Sequence, residues 1–203
     1  MLNLTKFYIG GKWVEPTSSA TLPIMNPATE AQIGIVAMGN SEDVDRAVAS
    51  AKAAFASFST TSKDDRIELL HRLKSVTERR FEDLAQAMRI EMGAPITMAR
   101  ASQADAAIGH LNGFIDAMQE LEERKVHANG DILLREPIGV CGLITPWNWP
   151  MNQIALKVIP ALATGSTCVL KPSEHTPISA IIYAEIIDEA GYPPGVFNLV
   201  NGD

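Results

Sequence analysis

The last third of the chain constrains its fold more than any other part, because strand and helix patterns alternate there without interruption. Gly139-Val140-Cys141-Gly142-Leu143-Ile144 is a short apolar run, with glycine where backbone must approach something closely, and it reads as a buried strand. Residues 151–164 carry helical spacing closed by Thr164-Gly165. Thr167-Cys168-Val169-Leu170 reads as a second buried strand. Thr176-Pro177 opens another helix with proline in its first turn, and Gly191 ends it. Val196-Phe197-Asn198-Leu199-Val200 is a third strand. The sum is β-α-β-α-β, one mononucleotide-binding half of a doubly wound parallel sheet, and the fold class is α/β.

Upstream the pattern is different. Tyr8-Ile9-Gly10-Gly11-Lys12-Trp13-Val14 predicts a hairpin turned by its glycine pair, and Asn26-Pro27 a turn before the strand Gln32–Val36. Three helices then follow. Ser41 is the expected N-cap of the first, with Val44, Val48, Ala51, Phe55 and Phe58 at helical spacing. Ser62 and Asp65 open the second in a capping-box pattern, and Ile67, Leu70, Val76, Phe81, Leu84 and Met88 line it until Gly93-Ala94-Pro95. The third carries Met98, Ala101, Ile108, Leu111, Ile115 and Met118 and ends in the charged run 120–125, expected to be a solvated helix end. Asn129-Gly130-Asp131 is a turn leading into a strand at Ile132–Arg135.

Bulk properties narrow the function. A formal charge of -7 with no basic stripe argues against nucleic acid as a partner. No apolar run approaches the length of a membrane span, and the first residues lack a basic segment leading into an apolar one. The expected compartment is therefore the cytoplasm. Cys141 and Cys168 make neither a disulfide framework nor a metal spacing, and both fall in strands expected to be buried, where a thiol packs as a small apolar group. The four histidines show no ligand spacing, so no metal site is expected.

In an open parallel sheet, ligands bind beyond the carboxyl ends of the strands. Two proline-stiffened loops lie there, Thr145–Pro150 and Lys171–Glu174. Neither a G-x-G-x-x-G nor a P-loop pattern is present. Lys171 and Glu174 suit a sugar or phosphate ligand, the ammonium donating and the carboxylate accepting. The plainer alternative sets Glu174 against the positive end of the next helix. Asn148 is open to two readings as well: a functional amide, or one that caps the helix after Pro150.

Those loops have a further property. Ile144-Thr145-Pro146-Trp147-Asn148-Trp149-Pro150 and Leu170-Lys171-Pro172-Ser173-Glu174-His175-Thr176-Pro177 resemble two signature segments of the aldehyde dehydrogenase superfamily. Supporting segments run the length of the chain in the family's order: Ile9–Trp13, Asn26–Thr29, Glu91–Pro95, Pro137–Val140 and Pro193–Asn198. The resemblance implies NAD(P)-dependent oxidation of an aldehyde to an acid. In that chemistry a cysteine thiolate attacks the aldehyde, an asparagine N–H stabilises the thiohemiacetal oxyanion, hydride passes to the nicotinamide, and a glutamate-activated water releases the acid.

On this resemblance Asn148 takes the oxyanion role. Ile144, Thr145, Pro146 and Trp147 run along the cofactor, and Lys171 and Glu174 meet the adenosine ribose with Ser173 nearby. A glutamate there implies NAD over NADP, since it would repel a 2′-phosphate. Residues 1–123 and 138–203 correspond to parts of a Rossmann-like dinucleotide-binding domain. Residues 124–137 correspond to a strand segment that reaches a neighbouring subunit in a homodimer or homotetramer, and residues around 98–118 and 149–157 to part of the aldehyde passage. The family's nucleophilic cysteine, its general-base glutamate and the whole catalytic domain correspond to nothing in this sequence, so the chain alone is expected to be inactive. The alternative is a standalone module that binds adenine nucleotide, or serves assembly, without catalysis.

Overall fold

The computed structural model describes residues 1–203. Five strands come first: β1 (Leu2–Leu4), β2 (Phe7–Ile9), β3 (Lys12–Val14), β4 (Thr21–Asn26) and β5 (Ala31–Ala37). Gly10 and Gly11 have φ of +64° and +75°, and two successive left-handed residues are what a tight hairpin between β2 and β3 demands. β4 and β5 pair antiparallel as the Asn26-Pro27 turn predicts. β1, which carries no sequence signal of its own, adds in parallel beside β5.

Helices α1 (Ser41–Phe58), α2 (Lys63–Arg79) and α3 (Phe81–Glu91) follow. The cap of α1 is Asn40, not Ser41. Asn40 Oδ1 accepts from the backbone N–H groups of Glu42 and Asp43, and the Asp43 carboxylate accepts from the Asn40 N–H in return. Its buried side is built from Asp43, Ala47, Ala51 and Phe58, while Val44 is exposed. Ser62 and Asp65 do form a reciprocal capping box on α2.

The single helix expected up to Gly93 is in fact two. They meet at Arg80, whose guanidinium pairs with Asp83 and reaches Glu185 and Glu189 on a later helix, fixing the corner. The third expected helix is also divided: a short turn α4 (Ile96–Met98) widens into a π-helical segment, Ala99–Ala104, before α5 (Asp105–Glu120).

A short hairpin, β6 (Arg124–Val126) and β7 (Ile132–Leu134), stands away from the body with every residue exposed. Val126, Ile132, Leu133 and Leu134 are apolar yet lie on this surface, as does Ile138 beyond it. Its root is tied down by the buried Arg66, which donates to Ala163 O at 2.9 Å and pairs with Glu123. The charged run at 120–125 is therefore partly an anchor rather than only a solvated helix end.

The remaining elements are β8 (Val140–Ile144), α6 (Pro150–Ala163), β9 (Thr167–Lys171), α7 (Pro177–Glu189) and β10 (Phe197–Leu199). β8, β9 and β10 are parallel neighbours, in the register Val140↔Thr167 to Ile144↔Lys171 and Phe197↔Cys168 to Leu199↔Leu170. The sheet then continues through the first hairpin, in the order β3-β2-β10-β9-β8. Cys168 and Leu170 face the core shared with α6 and α7, whereas Val169 and Val200 join Ala47 and Ala51 of α1 on the other side. This alternation along strands covered on both faces is the expected period of two.

One expectation fails here. β8 is not buried: it is the sheet's edge strand, its residues are half-buried or exposed, and Ile144 is 70 % exposed. Cys141 is accordingly only half-buried, while Cys168 on the central β9 is fully buried and its thiol is pushed up by desolvation.

Candidate active site

The carboxyl ends of β8 and β9 bring the two proline-stiffened loops side by side. Thr145 N–H donates to Lys171 O at 3.2 Å, which extends the ladder by one bond and holds the loops together. Thr145 is buried by that contact, whereas Pro146, Trp147 and Asn148 stand exposed where the chain turns into α6. Pro150 occupies the first turn of α6, where a missing N–H costs nothing.

The two readings left open for Asn148 can now be separated. The residue at the cap of α6 is Trp149, and no side chain caps that helix. The Asn148 amide is not spent on the helix end. It stands in solvent at the mouth of the sheet with its donors available.

Glu174 separates in the same way. The N-terminal N–H groups of α7 are already occupied by Glu91, the last residue of α3, whose buried carboxylate accepts from Ile178 N at 2.5 Å and from Ser179 N at 3.0 Å. Glu174 instead faces Lys171, with Oε2 3.9 Å from Nζ, and His175, with Oε1 3.3 Å from Nε2. Its carboxyl is held below the usual range by its own backbone N–H, then by His175, Lys171 and the Ser173 hydroxyl, against the opposing effect of burial. Lys171 Nζ also donates to Gly202 O at 3.1 Å, so the loop after β10 helps to aim it. Ser173 is buried, and its Oγ accepts from the His175 N–H.

Of the residues expected along a cofactor, Ile144, Pro146, Trp147, Lys171 and Glu174 have exposed or half-exposed faces at these strand ends, while Thr145 and Ser173 are buried beneath them. The exposed faces of Ile144 and Trp147 come from β8 and its loop, and the Lys171–Glu174 pair comes from the end of β9. Trp147, Glu174 and His175 also border a cleft of about 370 Å³ that Ile24, Met25, Pro27 and Glu91 help to line. Glu91 was not singled out by sequence reasoning. Its only signal was its place at the head of Glu91-Met92-Gly93-Ala94-Pro95, because its partners lie 87 and 88 residues away.

The sequence profile of the aldehyde dehydrogenase family matches residues 13–203. A 3-succinoylsemialdehyde-pyridine dehydrogenase of a Pseudomonas species is 48 % identical over 204 residues, covering 100 % of this chain and 43 % of that protein. An aldehyde dehydrogenase from Bartonella henselae superposes with a TM-score of 0.98 at 46 % identity, covering 100 % of this chain and 43 % of the other. A mutant of aldehyde dehydrogenase C from Pseudomonas syringae, solved with NAD+ and octanal, superposes with a TM-score of 0.96 at 50 % identity, covering 98 % and 41 %. The chain spans less than half the length of these relatives, and over that span, in its sequence and in its fold, it belongs to the aldehyde dehydrogenase family.

Proposed function

We propose that these residues form the nucleotide-binding and oxyanion-stabilising part of an enzyme that oxidises an aldehyde to a carboxylic acid with NAD. The observation that carries this reading is the Asn148 amide, exposed beyond β8 and unused as a helix cap. When a thiolate attacks an aldehyde, a C–S bond forms and the carbonyl π electrons move onto oxygen. A fixed side-chain N–H beside that oxygen favours the charge as it develops.

The residues fit the adenosine end of the cofactor. An ionised carboxylate and an ammonium 3.9 Å apart suit a ribose diol, and the exposed faces of Ile144 and Trp147 offer apolar cover, with Thr145 and Pro146 setting the path between them. NAD, when bound, supplies the acceptor for the electron pair that leaves the aldehyde carbon. Glu174 disfavours a 2′-phosphate by like-charge repulsion, which supports NAD over NADP. In this reading residues 1–123 and 138–203 are parts of the dinucleotide-binding domain. The exposed apolar hairpin within 124–137 is an arm that pairs subunits into a homodimer or homotetramer.

No residue of these 203 fills the roles of nucleophile and general base in this reading. Cys168 is buried with a raised pKa, and Cys141 lies within β8 rather than on a loop at the strand ends. The 203-residue chain by itself is therefore expected to bind NAD weakly and to form no NADH with any aldehyde. In a full-length polypeptide carrying these residues, Asn148→Ala is expected to lower kcat by about 100- to 1000-fold. Steady-state NADH formation is the measurement. A loss below about threefold would remove Asn148 from the oxyanion role.

A further inference from the structure

Spacing along the chain does not pair Cys141 with Cys168, but the sheet does. β8 and β9 are parallel neighbours, and in their register Cys141 stands directly opposite Cys168. The two side chains share a face. Cys168 belongs to the main core cluster, and Cys141 packs against that same cluster, as Leu143 does. Opposite residues of neighbouring strands lie about 5 Å apart, inside the range of about 4.4–6.8 Å between Cα atoms that a disulfide spans. Both thiols are free.

The two differ in access. Cys141 is half-buried on the strand at the sheet's edge, while Cys168 is fully buried on β9, where desolvation pushes its thiol up. An oxidant arriving from solvent therefore meets Cys141 first. A sulfur oxidised there has Cys168 as its neighbour across the ladder.

We infer that Cys141 and Cys168 form a reversible disulfide in the presence of a peroxide, and that this bridge weakens NAD binding. The Cys141 sulfur attacks one peroxide oxygen, the O–O bond breaks, and the thiol proton leaves with the other oxygen as water. The Cys168 sulfur then attacks the Cys141 sulfur, an S–S bond forms and the S–O bond breaks. The departing hydroxyl takes the Cys168 proton as a second water, so Cys168 need not be a thiolate beforehand. Two thiols are oxidised and one peroxide is reduced to two waters.

A disulfide holds its Cβ atoms about 3.8 Å apart, closer than the strand spacing of about 4.8 Å, so β8 and β9 draw together by about 1 Å. The same register continues to Ile144 opposite Lys171, and the next residue, Thr145, donates to Lys171 O. The spacing of the two loops assigned to the nucleotide therefore depends on whether the bridge is closed. This second half of the inference rests on the nucleotide-binding reading of those loops and adds a regulator to it.

The test uses the full-length polypeptide carrying these residues, treated with hydrogen peroxide and digested without reductant. Peptide mass mapping should find Cys141 joined to Cys168, and dithiothreitol should separate them. Calorimetric titration should show NAD binding weakened about threefold or more by peroxide and restored by dithiothreitol. Cys141→Ser should abolish both the bridge and the peroxide effect on NAD. Cys168→Val, which suits a central strand, should leave a sulfenic acid at Cys141 that a 1,3-diketone reagent labels. Should Cys168→Val fail to fold, Cys141→Ser decides. An unbridged sulfenic acid at Cys141 in the unaltered protein, a Cys141 bonded to another cysteine, or a Cys141 that peroxide leaves as a thiol would overturn the disulfide. A bridge that forms while NAD affinity stays the same, or an NAD loss that persists in Cys141→Ser, would overturn the coupling. Failure of the reduced protein to bind NAD would instead overturn the nucleotide-binding reading, which the peptide map does not depend on.

Discussion

Glu91 carries two opposing demands on one carboxylate. Two backbone N–H groups at the start of α7 favour its charged form, but full burial outweighs them and pushes its pKa up to about 7. The native protein therefore keeps this proton where the unfolded chain has released it. Stability from this group is fully present below about pH 4.5 and is lost as pH rises through 7, by on the order of 3 kcal/mol. Urea midpoints at pH 5, 6, 7 and 8 should show that decline. Glu91→Gln, which imitates the protonated carboxyl held at pH 5, should stay close to the unaltered protein there and should show a flatter profile at higher pH. The nucleotide pair gives a second expectation at this scale. Lys171→Ala or Glu174→Ala should each weaken NAD binding about tenfold or more in calorimetric titration, and Glu174→Ala should shift preference toward NADP. The placement of Asn148, Lys171 and Glu174 at the carboxyl ends of β8 and β9 was legible in the sequence because each sits in a contiguous segment at or just after a strand. Glu91 was not legible, since nothing local marks a carboxylate whose partners lie on another helix.

At the scale of elements, local signals were read well wherever the interaction that decides is itself local. The glycine-pair hairpin, the Ser62–Asp65 box, the proline-led helices and the three parallel strands all follow from neighbours within a few residues. The cap of α1 tests how finely such signals can be read. Asn40→Ala should destabilise the protein by about 1 kcal/mol, while Ser41→Ala should change little, and a comparison of denaturation midpoints separates the two. Departures arise where a distant group intervenes. Arg80 breaks a continuous helical pattern because its partners Glu185 and Glu189 sit on α7. β8 reads as buried because an apolar strand looks the same at a sheet's edge as at its centre. The π-helical turn at Ala99–Ala104 left no signature that periodicity could register.

At the scale of the molecule, the hairpin β6–β7 presents Val126, Ile132 and Leu134 to solvent on a two-stranded ribbon too small to be stable alone. The protein should associate through it. Leu134→Asp should move the mass found by light scattering toward a single chain, and a monomer in the unaltered protein would count against the arm. The order of strands has another consequence. β2 pairs through Tyr8 with Leu199, the Tyr8 hydroxyl donates to Asp188 at 2.6 Å, and Asn198 accepts from the Gly10 N–H. A ribosome adding about 5–20 residues per second has made the first hairpin some 10–40 s before the strand it must join exists. During that interval Phe7, Tyr8 and Ile9 have no sheet to enter, and a nascent chain halted before Phe197 would hold them bare for any chaperone that binds extended apolar segments.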